Sequence, residues 1–483
     1  MFELRSGVGF ARSTDETAEG NEAGGGKGRT RGALAQMSQG RTQSRTPLQP
    51  RLARVNAAAR SAAQTRFTAL LHHIDHDALG RAFDRQRRRA AAGVDGITVQ
   101  AYEQNLAANL QELHRRLHTG RYRPHPVRRV YIPKADGGRR PLGIPTLEDK
   151  IVQGAVAEVV SAVYEADFLG FSYGFRPGRS PHQALAALHT ALMSQRVSWV
   201  LDADIRSFFD SVDHEWLMRM VAHRIADPRI LTLIRMWLEA GVLESNELHE
   251  TERGTPQGSG ISPLLANVFL HYVLDLWVHQ WRRRHARGRV IVVRYADDFV
   301  MGFESKADAE GMVGDLKARL KQFCLALHED KTRLIEFGRL TALKRASAGL
   351  PRPRTFAFLG FTHYCGWTRD GRFIVKHKTQ SKRITRRLNE LRRDAWRRMH
   401  ESLADQHRWY VSVLRGHCAY YGMPHNWRAL AGFRQALRRI WFHCLRRRSQ
   451  RSRRAGWDWF DAVTARYRLP PVRITRSWAQ QRV

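Results

Sequence analysis

An α+β fold, with an antiparallel sheet among long helices and an all-α basic region after it, is what this sequence predicts, on three observations. Runs of β-branched and aromatic residues that end on or turn at acids, SWVLDADI at 198–205 and RVIVVRYADDFVMGFE at 289–304, alternate with long helical stretches. Residues 381–483 keep a helical period throughout and carry 25 basic against 6 acidic side chains. The chain has 483 residues, 43% of them apolar, which is ordinary for a protein with a real core and enough for two or three domains.

The elements follow in order. Residues 1–60 include GNEAGGGKGRTRGALAQ, which cannot bury enough apolar surface to fold alone, so a disordered basic arm is expected there. Asp15, Glu16, Glu19 and Glu22 speak against an organellar transit peptide. Helical periodicity starts near Phe67 and runs through AYEQNLAANLQELHRRLHTG, with Gly120 as its stop. RYRPHPVRRVYIPKADGGRRPLGIPT reads as a basic β-hairpin turning at ADGG. LEDKIVQGAVAEVVSAVYEADF, DHEWLMRMVAHRI and PRILTLIRMWLEAG read as helices, and ISPLLANVFLHYVLDLWVHQWRRRH as one long apolar helix. RVIVVRYADDFVMGFE is a hairpin whose tight turn lies at the acids; DAEGMVGDLKARLKQFCLAL is a helix and FAFLGFTHYCG a short strand pair. No internal repeat is present. In residues 381–483 Trp and Tyr recur among the basic residues, which suggests a separate all-α, aromatic-studded domain.

The formal charge is +36, from 81 basic and 45 acidic side chains, and 11 of the 81 are Lys. Such a charge repels itself unless an anion neutralises it, and Arg forks match phosphate geometry. Nucleic acid is the partner this points to, though a packing protein of ribosomal or chromatin type fits the charge alone. None of the four cysteines forms a C-x-x-C pair, which argues against a disulfide framework and a cysteine zinc site and fits a reducing compartment. No run of about 18 apolar residues exists, so no membrane span is expected. The first 15 residues lack the apolar stretch of a secretory signal.

The adjacent carboxylates Asp297 and Asp298 stand among apolar residues, where unpaired like charges are costly, so something positive must meet them. Asp204 ends a strand elsewhere in the sequence. Neighbouring strand ends can gather such acids, and their hard oxygens can hold Mg²⁺. Two ions about 3.5–4 Å apart clamp the attacking and leaving oxygens of a phosphoryl transfer. An acidic turn solvated at a hairpin tip is the other reading of these residues alone.

The surrounding blocks extend the pattern. In order they are IPKADGGRRPLGIPTLEDKIVQ, SYGFRPGRSPHQAL, WVLDADIRSFFDSVDH, GTPQGSGISPLLANVFLHYVLD, VRYADDFV, LHEDKTRLIEFG and FAFLGFTHY. These resemble the successive blocks of a group II intron-encoded reverse transcriptase, from about residue 90 to about 475. The resemblance implies a right-hand polymerase that copies RNA into DNA. Its fingers and palm would occupy residues 61–375, and an α-helical thumb and maturase region residues 376–483. LRGHCAYYGM and LRRRSQRSRRAGWDWFDAVTARYRLPPVRI carry the likeness in that last part, which in the family grips the intron RNA and helps it to splice.

Position by position, the resemblance makes Asp204, Asp297 and Asp298 the metal-binding, catalytic carboxylates. Asp202 is a rival for the first place; the family's aromatic pair four and five residues on, here Phe208 and Phe209, favours Asp204. Phe209 would lie beneath the incoming sugar and leave no room for a 2′-hydroxyl. Lys134 and Arg140 match triphosphate contacts, and Gln257 in GTPQGSG matches the block against the nascent base pair. Lys331 matches a lysine near the leaving pyrophosphate, and FLGF at 358–361 resembles the primer grip.

The implied cofactors are two Mg²⁺ ions with dNTP as substrate. The implied partners are group II intron RNA, a primer and target DNA, in a bacterial cytoplasm. The oligomeric state is left open, a dimer among the options. Many relatives end in a cysteine-paired zinc endonuclease; with no such pairs here, second-strand cleavage is not expected. The leading reading is an RNA-dependent DNA polymerase that assists splicing of its intron and reverse-transcribes it during retrohoming. The alternatives are an RNA-binding maturase that only assists splicing, and a domesticated relative in DNA repair or phage defence.

Overall fold

Strands apolar on both faces place one sheet between two hydrophobic clusters. The computed structural model describes residues 50–133, 138–244, 247–249, 253–255 and 258–477. Its strands are β1 (Val127–Pro133), β2 (Arg139–Ile144), β3 (Trp199–Ala203), β4 (Val242–Glu244), β5 (Glu247–His249), β6 (Val290–Tyr295), β7 (Asp298–Phe303), β8 (Arg333–Glu336), β9 (Phe356–Phe358), β10 (Phe361–Trp367) and β11 (Phe373–Thr379). They form three sheets, ordered β2-β1-β4-β5, β6-β7-β3-β8 and β11-β10-β9. The second and third are antiparallel throughout; in the first, β1 runs parallel to β4. With several times as much helix around them, this is the α+β fold that the sequence predicts.

The central sheet β6-β7-β3-β8 is covered on both faces. Leu201, Val292, Phe299, Met301 and Phe303 enter one hydrophobic cluster, built with the helices Leu147–Tyr164, Ser262–Leu270 and Lys306–Lys321. Their strand neighbours Val200, Val293, Val300 and Ile335 enter a second cluster, with the helix Pro181–Ser194, the strands β9 to β11 and the helices Leu403–Tyr421 and Trp427–Arg446. Successive residues of a strand point to opposite faces, so a strand buried on both sides is apolar at nearly every position. The second cluster runs unbroken from Tyr173 to Leu469 and so crosses residue 376. The C-terminal helices are thereby seated on the sheet that carries the acids.

Several elements differ from expectation. Residues 50–60, assigned to the arm, belong to a helix, Pro50–Ser61. Leu52, Val55 and Ala59 recur on one of its faces and are buried, Asn56 donates to the carbonyl of Ala162 at 2.8 Å, and Arg224 donates to that of Ala59 at 2.9 Å. A weakly apolar helix is stable here because of what it docks on. Residues 1–49 lie outside the described residues. The expected helix from Phe67 is broken into His76–Asp84, Val99–Glu103 and Leu106–His118, and Gly120 follows the last with φ +70°. The long apolar helix is interrupted by a π turn over His271–Asp275. The basic hairpin is β1–β2, paired from Arg128↔Ile144 to Pro133↔Arg139.

Of the described Trp and Tyr residues after residue 381, Trp409, Tyr410, Tyr421 and Trp441 are buried, and only Trp396 and Trp427 are exposed. Those aromatics chiefly build the helical core rather than stud its surface.

Candidate active site

β3 pairs with β7 so that Asp202 faces Val300 and Ala203 faces Phe299. One step further in that register sets Asp204 opposite Asp298. β6 and β7 close through Tyr295↔Asp298, leaving Ala296 and Asp297 as a two-residue turn. Ala296 has φ +58°, the left-handed conformation that such turns demand. Three aspartates 93 and 94 positions apart in sequence therefore meet at one end of the central sheet, as strand geometry allows.

The turn is held from below. Gly174 lies so close that a Cβ there would collide with the backbone of Ala296, and Asn267 donates to the Gly174 carbonyl at 2.6 Å. Tyr173 N–H donates to Arg294 O and Arg294 N–H to Phe171 O, both at 2.9 Å. Gly174→Ala is expected to displace the turn and to lower activity by about 10²-fold, the scale of a roughly 1 Å misplacement. Primer extension by the purified variant, with its circular dichroism as a control for folding, checks this; wild-type activity would refute it.

Asp204 and Asp298, with Asp202, line an open cleft of about 330 Å³. Lys331 and Arg333 line it together with these acids, the turn at 357–360, Gln380 and Arg383. Asp298 is open to the cleft but crowded by protein elsewhere. Burial, then the charges of Asp297 and Asp204, push its pKa up, while Arg383 draws it down. Asp297 is raised by burial and by Asp204, against the pull of Arg140 and Arg294. Asp202 is raised chiefly by burial and is paired with Arg333 at 2.9 Å. Asp204 is paired with the Lys331 ammonium at 3.0 Å.

These carboxylates fit a divalent cation by donor chemistry: hard oxygens whose mutual repulsion a cation would relieve. Among the described residues no three His, Cys, Asp or Glu side chains already stand in ligand geometry; Asp204 is turned to Lys331 instead. Asp204 raises both Asp297 and Asp298, and Asp202 raises Asp298 less than Asp204 does.

The other expected site residues fall as follows. Phe208 is buried and Phe209 half-buried, their rings T-shaped at 5.4 Å. The carbonyl of Phe209 accepts from Thr255 N–H at 2.8 Å, so the segment before Gln257 packs on it. Gly258, at φ +119°, lies against Gly143 of β2, too close for any side chain. Lys134 and Gln257 themselves lie outside the described residues. Arg140 is exposed on β2, and its charge reaches Asp297. FLGF forms the β9–β10 turn in the cleft wall, with Leu359 at φ +47° and Gly360 at φ +86°.

Sequence reasoning missed two arginines. Arg294 is wholly buried and donates to Asp275 at 2.7 and 2.5 Å, to Asn267 at 3.0 Å, to Ala296 O at 2.9 Å and to Ser172 at 2.7 Å. The π turn brings Asp275 to it. An arginine and an aspartate inside apolar runs were the available signal, since neither is buried alone. Arg383, in the first turn of the helix Ser381–Arg397, had none to distinguish it from its basic neighbours.

A profile described as reverse transcriptase (RNA-dependent DNA polymerase) matches residues 132–363. Protein YkfC of Escherichia coli (strain K12) is 38% identical over 276 residues, 50% of this chain and 71% of that protein. The group II intron-encoded protein LtrA of Lactococcus lactis subsp. cremoris is 39% identical over 197 residues, 41% of this chain and 32% of its own length. Nuclear intron maturase 3, mitochondrial, of Arabidopsis thaliana is 31% identical over 130 residues, 26% of this chain and 18% of its own.

Proposed function

On the premise that the chain belongs to the reverse transcriptase family, with relatives encoded in group II introns, we propose that it extends a primer by copying its own intron RNA into DNA. It also binds that RNA to assist its splicing, as the intron-encoded and maturase relatives suggest. The enzyme class is RNA-directed DNA polymerase. The target DNA of retrohoming, the primer and a bacterial cytoplasmic setting belong to the proposal; no described helix is long and apolar enough to cross a membrane. We divide the chain into fingers and palm over 61–375 and thumb with maturase surface from 376.

Asp204, Asp297 and Asp298 would hold two Mg²⁺ ions, which when bound offset phosphate charge and stabilise the attacking and leaving oxygens. The residues do the rest by position and charge. Arg140, with Lys134, takes the triphosphate of the dNTP. Phe209, held by Thr255, lies under its sugar and excludes a 2′-hydroxyl, and Gln257 stands against the new base pair. The primer 3′-oxygen then attacks the α-phosphate, and pyrophosphate leaves. Lys331, free to leave Asp204 because its side chain is 55% exposed, offers its charge to that leaving group.

The observation that carries this reading is the antiparallel pairing of β3 with β7, which sets Asp204 opposite Asp298 in an open cleft. The test is dNTP incorporation on an RNA template by wild type beside Asp297→Ala; no incorporation by wild type ends the polymerase reading.

RNA contact by the C-terminal helices rests on charge, 25 basic against 6 acidic side chains from residue 381, and on exposed Trp427 and Trp396. Arg447 stacks on Trp396 at 4.7 Å. A surface that neutralises 6–10 phosphates is expected to lose about 10³-fold or more in RNA affinity between 50 and 200 mM salt. Filter binding across that range measures it, and a nearly flat response would refute the assignment.

A further inference from the structure

The cleft lined by the acids also contains a cation whose role the polymerase reading leaves unassigned. Arg383 is half-buried and forms no salt bridge within 4 Å among the described residues, although the protein pairs arginines with acids at many other points. Its place is fixed. Gln380 N–H donates to Gly360 O at 3.0 Å, which ties the start of the helix to the β9–β10 turn. The side chain of Gln380 then accepts from Arg383 Nε at 3.1 Å. The rest of the guanidinium lies over Gly360 and against the Tyr421 hydroxyl: a Cβ on Gly360 would meet Tyr421 Oη at 3.1 Å and Arg383 Nη1 at 3.3 Å. With Nε donating to Gln380 and part of the fork engaged by the Tyr421 hydroxyl, the remaining Nη N–H groups are left for a ligand of the cleft. A guanidinium that shares a cleft with Asp202, Asp204 and Asp298 calls for an anion that must approach those acids, and a phosphodiester is the anion whose geometry a fork of N–H groups matches.

We propose that Arg383 is a positioning residue that grips the 3′-terminal phosphodiester of the primer strand and so sets the primer end against Asp204 and Asp298. The proposal rests on the polymerase reading above. Arg383 is joined both to the turn that lines the cleft and, through Tyr421, to the C-terminal helices. Seating of the primer is therefore coupled to the helical region that binds RNA. A dNTP phosphate is a different ligand, approached from the side of Arg140, and Arg383 does not serve it.

The experiment compares full-length wild type, Arg383→Gln and Arg383→Lys on two primer–template duplexes, one natural and one with an uncharged methylphosphonate at the primer's last linkage. Equilibrium binding, which needs no catalysis, is read beside KM for primer and for dNTP. The expected result is a loss of about 10-fold or more in primer affinity for Arg383→Gln, with KM for dNTP within about 2-fold and partial recovery in Arg383→Lys. The methylphosphonate is expected to weaken wild type by a similar factor and to leave Arg383→Gln unchanged, since the contact is already gone. Equal losses in both proteins on the modified duplex would overturn the proposal. So would a raised KM for dNTP with normal primer binding. Wild type that binds primer but incorporates no dNTP would defeat the polymerase reading alone, because the binding comparison still decides the role of Arg383.

Discussion

Asp297→Ala is expected to lose deoxynucleotide incorporation by about 10³-fold or more while leaving RNA affinity and its salt dependence as they were. The size of the effect follows from where the side chain stands. The hairpin turn has two residues, and Asp297 is the one whose carboxylate joins Asp204 and Asp298 at the end of the central sheet. Removing it takes away a third of the negative charge to which the proposed function assigns the divalent cations. The basic surface after residue 381 is untouched, so binding is spared. Stability moves the other way. In wild type the three carboxylates repel one another, and burial with like charge raises Asp297 and Asp298. In chelator the variant is therefore expected to melt at or above the wild-type temperature. Primer extension and thermal melts of the same two preparations decide the matter. A variant that keeps even a tenth of wild-type incorporation would remove Asp297 from the machinery.

What the sequence made legible was local. The end of SWVLDADI and the turn of RVIVVRYADDF are short-range patterns, and β3, β6 and β7 occupy those residues. Their meeting could be guessed from chemistry, but the pairing of β3 with β7 spans about 100 residues, and no local pattern encodes it. The helix Pro50–Ser61 was hidden because Arg and Ala dominate it; three buried side chains sufficed once the helix Leu147–Tyr164 was there to receive them. Aromatic content says nothing about direction: Trp409, Tyr410 and Trp441, in the region read as aromatic-studded, belong to the second hydrophobic cluster. Arg383 was invisible for a related reason. It is one of four basic residues within six positions, and only the turn at Gly360 distinguishes it.

Breaking the buried pair beneath the acids is expected to have the largest effect on stability. Arg294 and Asp275 are both fully buried, and Arg294 also satisfies Asn267, Ser172 and the carbonyl of Ala296. Arg294→Met strands the Asp275 carboxylate in an apolar interior, which costs about 3–5 kcal/mol. It also releases the Ala296 carbonyl, one of the ties on a turn whose φ is +58°. Stability and activity should therefore fall together in the single variant. The double variant Arg294→Met with Asp275→Leu separates them. With both charges gone and comparable volume restored, stability should return most of the way, as replacing a whole buried pair by apolar groups is often neutral. Activity should not return, because nothing then fixes Ala296 or carries the strain of presenting Asp297. Urea unfolding and primer extension on the three proteins give the answer. A single variant as stable as wild type would show that the network holds nothing. A double variant that recovers activity along with stability would show that it supports the sheet and has no part in aiming the acids.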